Sequence, residues 1–314
     1  MRRTDAVHFG LMLLAVGMTY VVPFELLLLS YVILGPAHYT TEISWLHDRK
    51  YFLPHRAVAV VLAVVAIVAA LIDNGSWFGF VMWSAFVASA LLAAATTGAQ
   101  VAVLLIGAAG LTAIMYVQAP SLAVLGILIT TLIHVSLFTL VFMTLGALRS
   151  RSAVQGALIA AYLIAIGLIL VVPPSASTLI PKFAEVGRDY FGNVAPALGR
   201  LFGIRGLTLD ARLTGLLAFL YTYHYLNWFI KADVIRWANI PPARLALVGA
   251  VSAASTGLYF YDYAFGFSIL LALSLIHVVL EFPLDALAVR QLGGAVRQAV
   301  LPKTRARGAL ARRR

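Results

Sequence analysis

The sequence predicts an all-α, polytopic integral membrane bundle of about ten transmembrane helices with both termini cytoplasmic. Three observations predict it. Of 314 residues, 62% are hydrophobic and 11% charged, against about 45–50% and about 25% in an ordinary soluble domain. That leaves too little polar surface to cover a water-exposed core, and disorder is excluded by the same figure. The apolar residues fall in runs of about 20, the length that crosses about 30 Å of hydrocarbon at a rise of about 1.5 Å per residue. The formal charge of +11 gathers in alternate connecting segments and at one end. The chain has no Cys, which removes zinc–thiolate, iron–sulfur and cysteine-nucleophile chemistry.

Taken in order, Met1-Arg2-Arg3 leads into the first run, 6–22, with no small-residue cleavage site behind it, so it reads as a retained helix. Pro23 joins it almost directly to 24–48. The run 53–72 closes at Asp73-Asn74-Gly75. The runs 77–97 and 99–117 carry Ala85, Ala88, Gly98, Gly107 and Gly110, small residues suited to close helix contact. Pro120 precedes 121–148, and Pro173-Pro174 ends 153–172. The loop 173–210 is the one sizeable extramembrane piece. Leu179, Phe183, Val186, Tyr190, Val194, Leu198 and Phe202 space it as one or two short amphipathic helices, a cover lying on the bilayer or a lid. The run 211–237 follows, then 243–261 after Pro241-Pro242, then 264–290. Residues 1–290 are thus one transmembrane domain, and 291–314 a basic cytoplasmic tail.

Charge placement supports the even count. With both ends inside, eighteen of the 23 Lys and Arg lie on the inner side. The other five, Lys182, Arg188, Arg200, Arg205 and Arg212, belong to the long loop and its edge, where the positive-inside rule acts weakly. The short outer turns carry Asp73 and Asp262 and no cation. Eight cations between Arg290 and Arg314, with no acid among them, are expected to touch anionic lipid. They account for the basic charge without invoking nucleic acid. Oligomeric state is not legible.

An ionisable side chain at bilayer depth costs several kcal/mol (order of magnitude) unless paired, so each is a functional candidate. The interior candidates are Glu25, His38, Glu42, His134, His224, His277, Glu281 and Asp285. His8, His47 and His55 fall near the inner surface and read as hydrated interfacial residues. Spans two, six, eight and ten all run from outside to inside. His38 lies 14 residues into its span, and His134, His224 and His277 each 13. All four therefore reach about 20 Å from the outer boundary. Four imidazoles in one layer point to a shared metal site. Neutral imidazole is a common ligand of divalent transition metals, and a His-only set without thiolate suits Fe(II) most and zinc, copper or manganese less specifically. Separate hydrogen bonds across helix interfaces are the plainer alternative.

His38 and Glu42 are four apart and share a helical face, and His277 and Glu281 repeat the spacing. Glu42 and Glu281 read as catalytic: they orient imidazoles or carry protons, unless they pair with boundary cations. Asp285 is expected to pair with Arg49, Lys50 or Lys231 at the inner boundary. Pro283 is expected to kink its helix near Glu281. Tyr221 and Trp228 share a face with His224, with Asn227 beside them. They read either as ordinary packing or as the wall of a slot for a long apolar or conjugated substrate. There is no phosphate-cradling Gly loop, no Gly-x-Ser-x-Gly elbow, no His-Glu-x-x-His motif and no mid-span Lys for a retinal Schiff base.

Gly35-Pro36-Ala37-His38-Tyr39-Thr40-Thr41-Glu42 resembles the Gly-x-Pro-His-x-x-x-Asp segment of the Brp/Blh membrane proteins, the bacterial β-carotene 15,15′-dioxygenases. Leu273-Ser274-Leu275-Ile276-His277 is similar to their C-terminal helix ending in Pro-His, and the aromatic run around His224 to their aromatic His-bearing helix. Glu42 stands where the family has Asp, Tyr39 where it has Gly, and Ile276 where it has Pro. The resemblance implies a bacterial inner (plasma) membrane protein. It implies oxidative carotenoid cleavage at a non-haem iron, with His38, His224 and His277 as ligands; His134 is added by its depth. The expected function is a membrane metal oxygenase acting on an apolar small molecule from the bilayer. A transporter or proton conductor using the same His and Glu residues, and a scaffold without a metal, are the alternatives.

Overall fold

Apolar runs punctuated by Pro, Gly and Asp give helices, and helices are what the computed structural model contains. It describes residues 3–49, 56–71, 81–89, 106, 110, 129–174, 179, 211–231 and 236–300, with no strand among them. Helix α1 is Arg3–Val21. The second run is continuous but of mixed winding: α2 (Pro23–Leu29), a π-helical turn π1 (Ser30–Leu34) and α3 (Gly35–Arg49). Then come α4 (Arg56–Leu71) and α5 (81–89). The sixth run is π2 (Ile129–Phe138) followed by α6 (Thr139–Ser150). Helices α7 (Ala153–Val171), α8 (Ala211–Ile230), α9 (Pro242–Tyr261) and α10 (Tyr263–Val300) complete the set. The expected span 99–117, apart from 106 and 110, most of the loop 173–210 and the tail from 301 lie outside the described residues.

Among the described residues, four helices are long and apolar enough to cross a membrane: Leu132–Ser150, Ala153–Val171, Pro242–Tyr261 and Tyr263–Gln298. Their surfaces agree with that reading. Helix α7 buries Tyr162 and Ile169 yet leaves Ile164 68% and Val171 77% exposed, the apolar outward face that water disfavours and lipid accepts. Helix α8 is the opposite case, buried nearly all round. It packs against α1, α2, α3, α7 and both π segments, so it forms the centre of the bundle. Helix α10 packs on α3, α4, α6, α9 and π2.

The two π segments have local causes. Pro36 has no N–H and cannot bond to the carbonyl of Val32, one α-turn back. Thr256 on α9 supplies the missing donor, its hydroxyl 2.8 Å from that carbonyl. The ladder widens there, with the Gly35 N–H donating to Ser30 O five residues back. In π2 the Ser136 hydroxyl turns back onto the Leu132 carbonyl, which competes with the backbone and bends the helix. One π segment thus ends one turn before His38 and the other contains His134.

Ends differ from expectation in two places. Helix α8 stops at Ile230, short of 237, and Arg236 takes a left-handed φ of 58°. Helix α10 continues through Pro283 to Val300, past 290. At its start, Asp262 Oδ1 accepts from the Phe265 N–H at 3.0 Å and caps the helix. Gly266 is required beside it, because a Cβ there would collide with the Tyr259 backbone.

Two large apolar clusters, with three smaller ones beside them, make the core among the described residues. One cluster joins α1, π2, α6, α7 and α8 through Met12, Val135, Leu158, Tyr162, Phe219 and Tyr223. The other joins α3, α4, α5 and α10 through Leu46, Leu62, Met82, Leu275, Val279 and Phe282. Helices α3, α8, α10 and π2 present their polar residues to one another in between.

Candidate metal centre

Each of these four segments delivers one buried imidazole: His38 from α3, His134 from π2, His224 from α8 and His277 from α10. The rings form a closed cycle. Centroids are 4.8 Å apart for His38–His224, 5.2 Å for His224–His134, 5.0 Å for His134–His277 and 4.8 Å for His277–His38. Side-chain geometry thus brings the four rings into contact around one cycle. The Nε2 atoms of His38 and His224 are 3.1 Å apart. Two imidazoles on one ion at about 2.0–2.1 Å stand about 2.9–3.4 Å apart when their bonds open at about 90–110°.

Tautomer and orientation are set from behind. His277 Nδ1–H donates to the Ser274 carbonyl at 3.2 Å, which leaves Nε2 as the lone-pair atom. The Thr139 hydroxyl lies 2.8 Å from His224 Nδ1. Tyr39 stacks on His277 at 4.8 Å and 28°, and its hydroxyl bonds to that of Tyr225 at 2.6 Å. Trp228 donates its indole N–H to Thr41 Oγ1 at 3.0 Å, which holds its ring edge-on to His38. Such outer partners fix ligand geometry as much as the ligands themselves do.

Three carboxylates complete the centre. Glu42 Oε2 is 3.1 Å from His38 Nε2 and 3.4 Å from His277 Nε2. Glu281 Oε2 is 3.4 Å from His134 Nε2 and 3.5 Å from His277 Nε2. Asp285 Oδ2 is 3.9 Å from His134 Nδ1, and the residue is fully buried. The expected pairing of Asp285 with a boundary cation is therefore corrected. Helix α10 runs on through Pro283, so His277, Glu281 and Asp285 stay on one stripe and all face inward. Glu25 stands apart from the centre. Its Oε1 accepts the Leu179 N–H at 2.6 Å and ties loop 173–210 to α2.

The donor set fits a metal. His277 Nε2, both ring nitrogens of His134, Glu281 Oε2 and both oxygens of Asp285 are buried without a hydrogen-bond partner. Each such atom costs about 1–3 kcal/mol if nothing coordinates it. Two overlapping groups, His38–His224–His277 and His134–His277–Glu281, have ligand atoms within 4.8 Å of one another.

A cavity of about 830 Å³ reaches the centre. His38, Glu42, His224 and Glu281 line its inner end, Trp45, Phe142, Met143, Asn227 and Trp228 its walls, and exposed Arg49, Arg149 and Gln291 its outer end. Asn227 and Trp228 thus line this cavity. Tyr221 does not line the cavity; it packs against Tyr31 and Tyr225. His8, expected at a hydrated boundary, is buried and lines the cavity with Asp5. His47 is exposed beside Asp48 as expected, and His55 lies outside the described residues. Thr139, Tyr39 and Ser274 are not legible in the sequence as parts of the centre, because hydrogen bonding from behind a ligand leaves no spacing signal.

Gly35 gives this centre a sharp test. A Cβ there would lie 2.8 Å from the Tyr39 hydroxyl oxygen, nearer than packed atoms approach. Gly35→Ala is expected to displace Tyr39 from His277 and to weaken metal binding about 10-fold or more. Metal titration of Gly35→Ala beside wild type checks this; equal affinities would show that the stacking does not position His277.

Comparison with protein-family models, with curated proteins and with solved structures gives no match to this chain.

Proposed function

We propose that this chain is a membrane-embedded, metal-dependent oxygenase that acts on an apolar, carotenoid-like or lipid substrate. The observation that carries the reading is the closed cycle of four buried imidazoles, with ring nitrogens that nothing else satisfies. His38, His134, His224 and His277 would hold Fe(II), or another divalent transition metal. Fe(II) supplies the one-electron chemistry with dioxygen that side chains lack. The resemblance of the His38 segment to carotenoid-cleaving proteins favours oxygenation over hydrolysis.

The chain's own residues orient and exclude. Ser274 and Thr139 hold imidazole tautomers from behind. Glu42 and Glu281 sit where they steer the same rings and accept or return protons. Trp45, Phe142, Met143 and Trp228 give apolar wall to a cavity that also carries polar and charged side chains, and its volume admits a small lipophilic molecule. Ten spans with both ends cytoplasmic, in a bacterial inner membrane, are the topology that best fits the charge distribution, and the basic tail would rest on anionic lipid.

The test is dioxygen uptake. Iron-loaded protein in detergent or liposomes, given β-carotene as probe, is expected to consume oxygen and yield cleaved product, and His224→Ala to do neither. Iron-loaded wild type that leaves both oxygen and probe untouched would count against the carotenoid reading. The cavity lined by buried carboxylates also suits a proton- or ion-coupled transporter. Substrate flux in proteoliposomes, abolished by Glu281→Gln with the fold retained, would favour that reading.

A further inference from the structure

The centre has more donors than one ion uses. Four imidazoles and three carboxylates crowd together, and a single divalent ion with positions open to dioxygen takes only some of them. Their arrangement is also doubled. Helix α3 supplies His38 and Glu42, and α10 supplies His277 and Glu281, the same His-x-x-x-Glu spacing on two helices. The two remaining segments supply one His each, His224 and His134. Four-helix bundles that hold two metal ions use this logic, with a two-ligand motif from each of two helices and one ligand from each of the others.

The repeated motif on each helix, taken with one of the remaining imidazoles, apportions the donors to two sets, with His277 Nε2 about as near to Glu42 as to Glu281. His38, His224 and Glu42 form one group: His38 Nε2 is 3.1 Å from His224 Nε2 and 3.1 Å from Glu42 Oε2. His134, His277 and Glu281 form the other, with Glu281 Oε2 3.4 Å and 3.5 Å from the two Nε2 atoms. Each group is two imidazoles and one carboxylate, the facial set that holds Fe(II) with positions open. Glu42 Oε2 also lies 3.4 Å from His277 Nε2, so this carboxylate stands between the groups, as a bridge would. His277 cannot bridge, because its Nδ1 is committed to Ser274.

Charge points the same way. Glu42, Glu281 and Asp285 are at most 3% exposed. Among the described residues their ion pairs run to imidazoles, and no Lys or Arg is within ion-pair distance. A buried carboxylate that no Lys or Arg offsets is costly to ionise, so three of them gathered beside imidazoles favour divalent cations as the offsetting charge.

From this we infer that the centre binds two divalent transition-metal ions, one at His38, His224 and Glu42 and the other at His134, His277 and Glu281. Asp285 backs His134. The inference rests on the metal reading above and specifies its nuclearity.

Full-length protein in detergent, stripped with chelator, is titrated anaerobically with Fe(II), and bound iron is counted by elemental analysis after gel filtration. Two equivalents per chain are expected, with Mössbauer spectra of two iron environments. His134→Ala is expected to bind one equivalent. A plateau of one equivalent in wild type would overturn the two-ion centre and leave the metal-dependent function standing. No binding above background would overturn both. A His134→Ala protein that still binds two would overturn the division into these two groups.

Discussion

Replacing His277 with Ala is expected to empty the ion position it shares with His134 and Glu281 and to weaken the other. His277 belongs to both sets whose ligand atoms lie within 4.8 Å of one another, and its Nε2 faces Glu42 at 3.4 Å and Glu281 at 3.5 Å. Losing an outer partner of a ligand costs about 10–100-fold in affinity, so losing an imidazole shared by the centre is expected to cost more than about 100-fold. Metal content of monodisperse protein reports this, and oxygen uptake is expected to fall with it. His47→Ala is the matched control, since that side chain is 55% exposed beside Asp48 and remote from the centre by its placement. Equal metal in His277→Ala and His47→Ala would remove the role assigned to His277.

Asp285→Asn is expected to act with opposite sign on the two forms of the protein. Without metal, Asp285 adds a third carboxylate to a buried cluster, and neither of its oxygens has a hydrogen-bond partner. An amide of the same shape removes the cost of burying an acid, whether ionised beside other carboxylates or forced to take up a proton, and breaks no bond already made. The chelated variant is therefore expected to melt higher than chelated wild type, by about 2–4 °C per kcal/mol relieved. With metal the charge is an asset, and affinity is expected to fall about 10–100-fold. Thermal unfolding with and without chelator, beside a metal titration, checks both directions. A variant that is less stable in both forms would make Asp285 a purely structural residue.

The parts of this centre that follow regular helix periods are legible in the sequence. Counting along runs places four imidazoles at one depth, and i, i+4 spacing pairs His38 with Glu42 and His277 with Glu281. What escapes depends on departures from that period or on distant partners. Pro36 announces a disturbed turn, but the Thr256 hydroxyl that satisfies Val32 comes from 224 residues away. The π winding of 129–138 shifts side chains off the 3.6-residue register, so Thr139 cannot be aligned with the centre by counting. Asp285 reads as a boundary residue because it lies two turns beyond His277 towards the inner end of its run, and the helix continues through Pro283 and buries it. Tyr221 shares a helical face with His224 on a wheel. Nearly one turn away, though, it meets Tyr31 and never reaches the cavity.

X-ray absorption at the metal edge, on purified metal-loaded protein, tests the central claim most directly. The expected spectrum shows nitrogen and oxygen neighbours at about 2.0–2.2 Å, with the outer-shell scattering of several imidazoles, and loses part of that scattering in His224→Ala. A first shell without imidazole scattering, or one that His224→Ala leaves unchanged, would contradict a metal held by imidazoles from four helices.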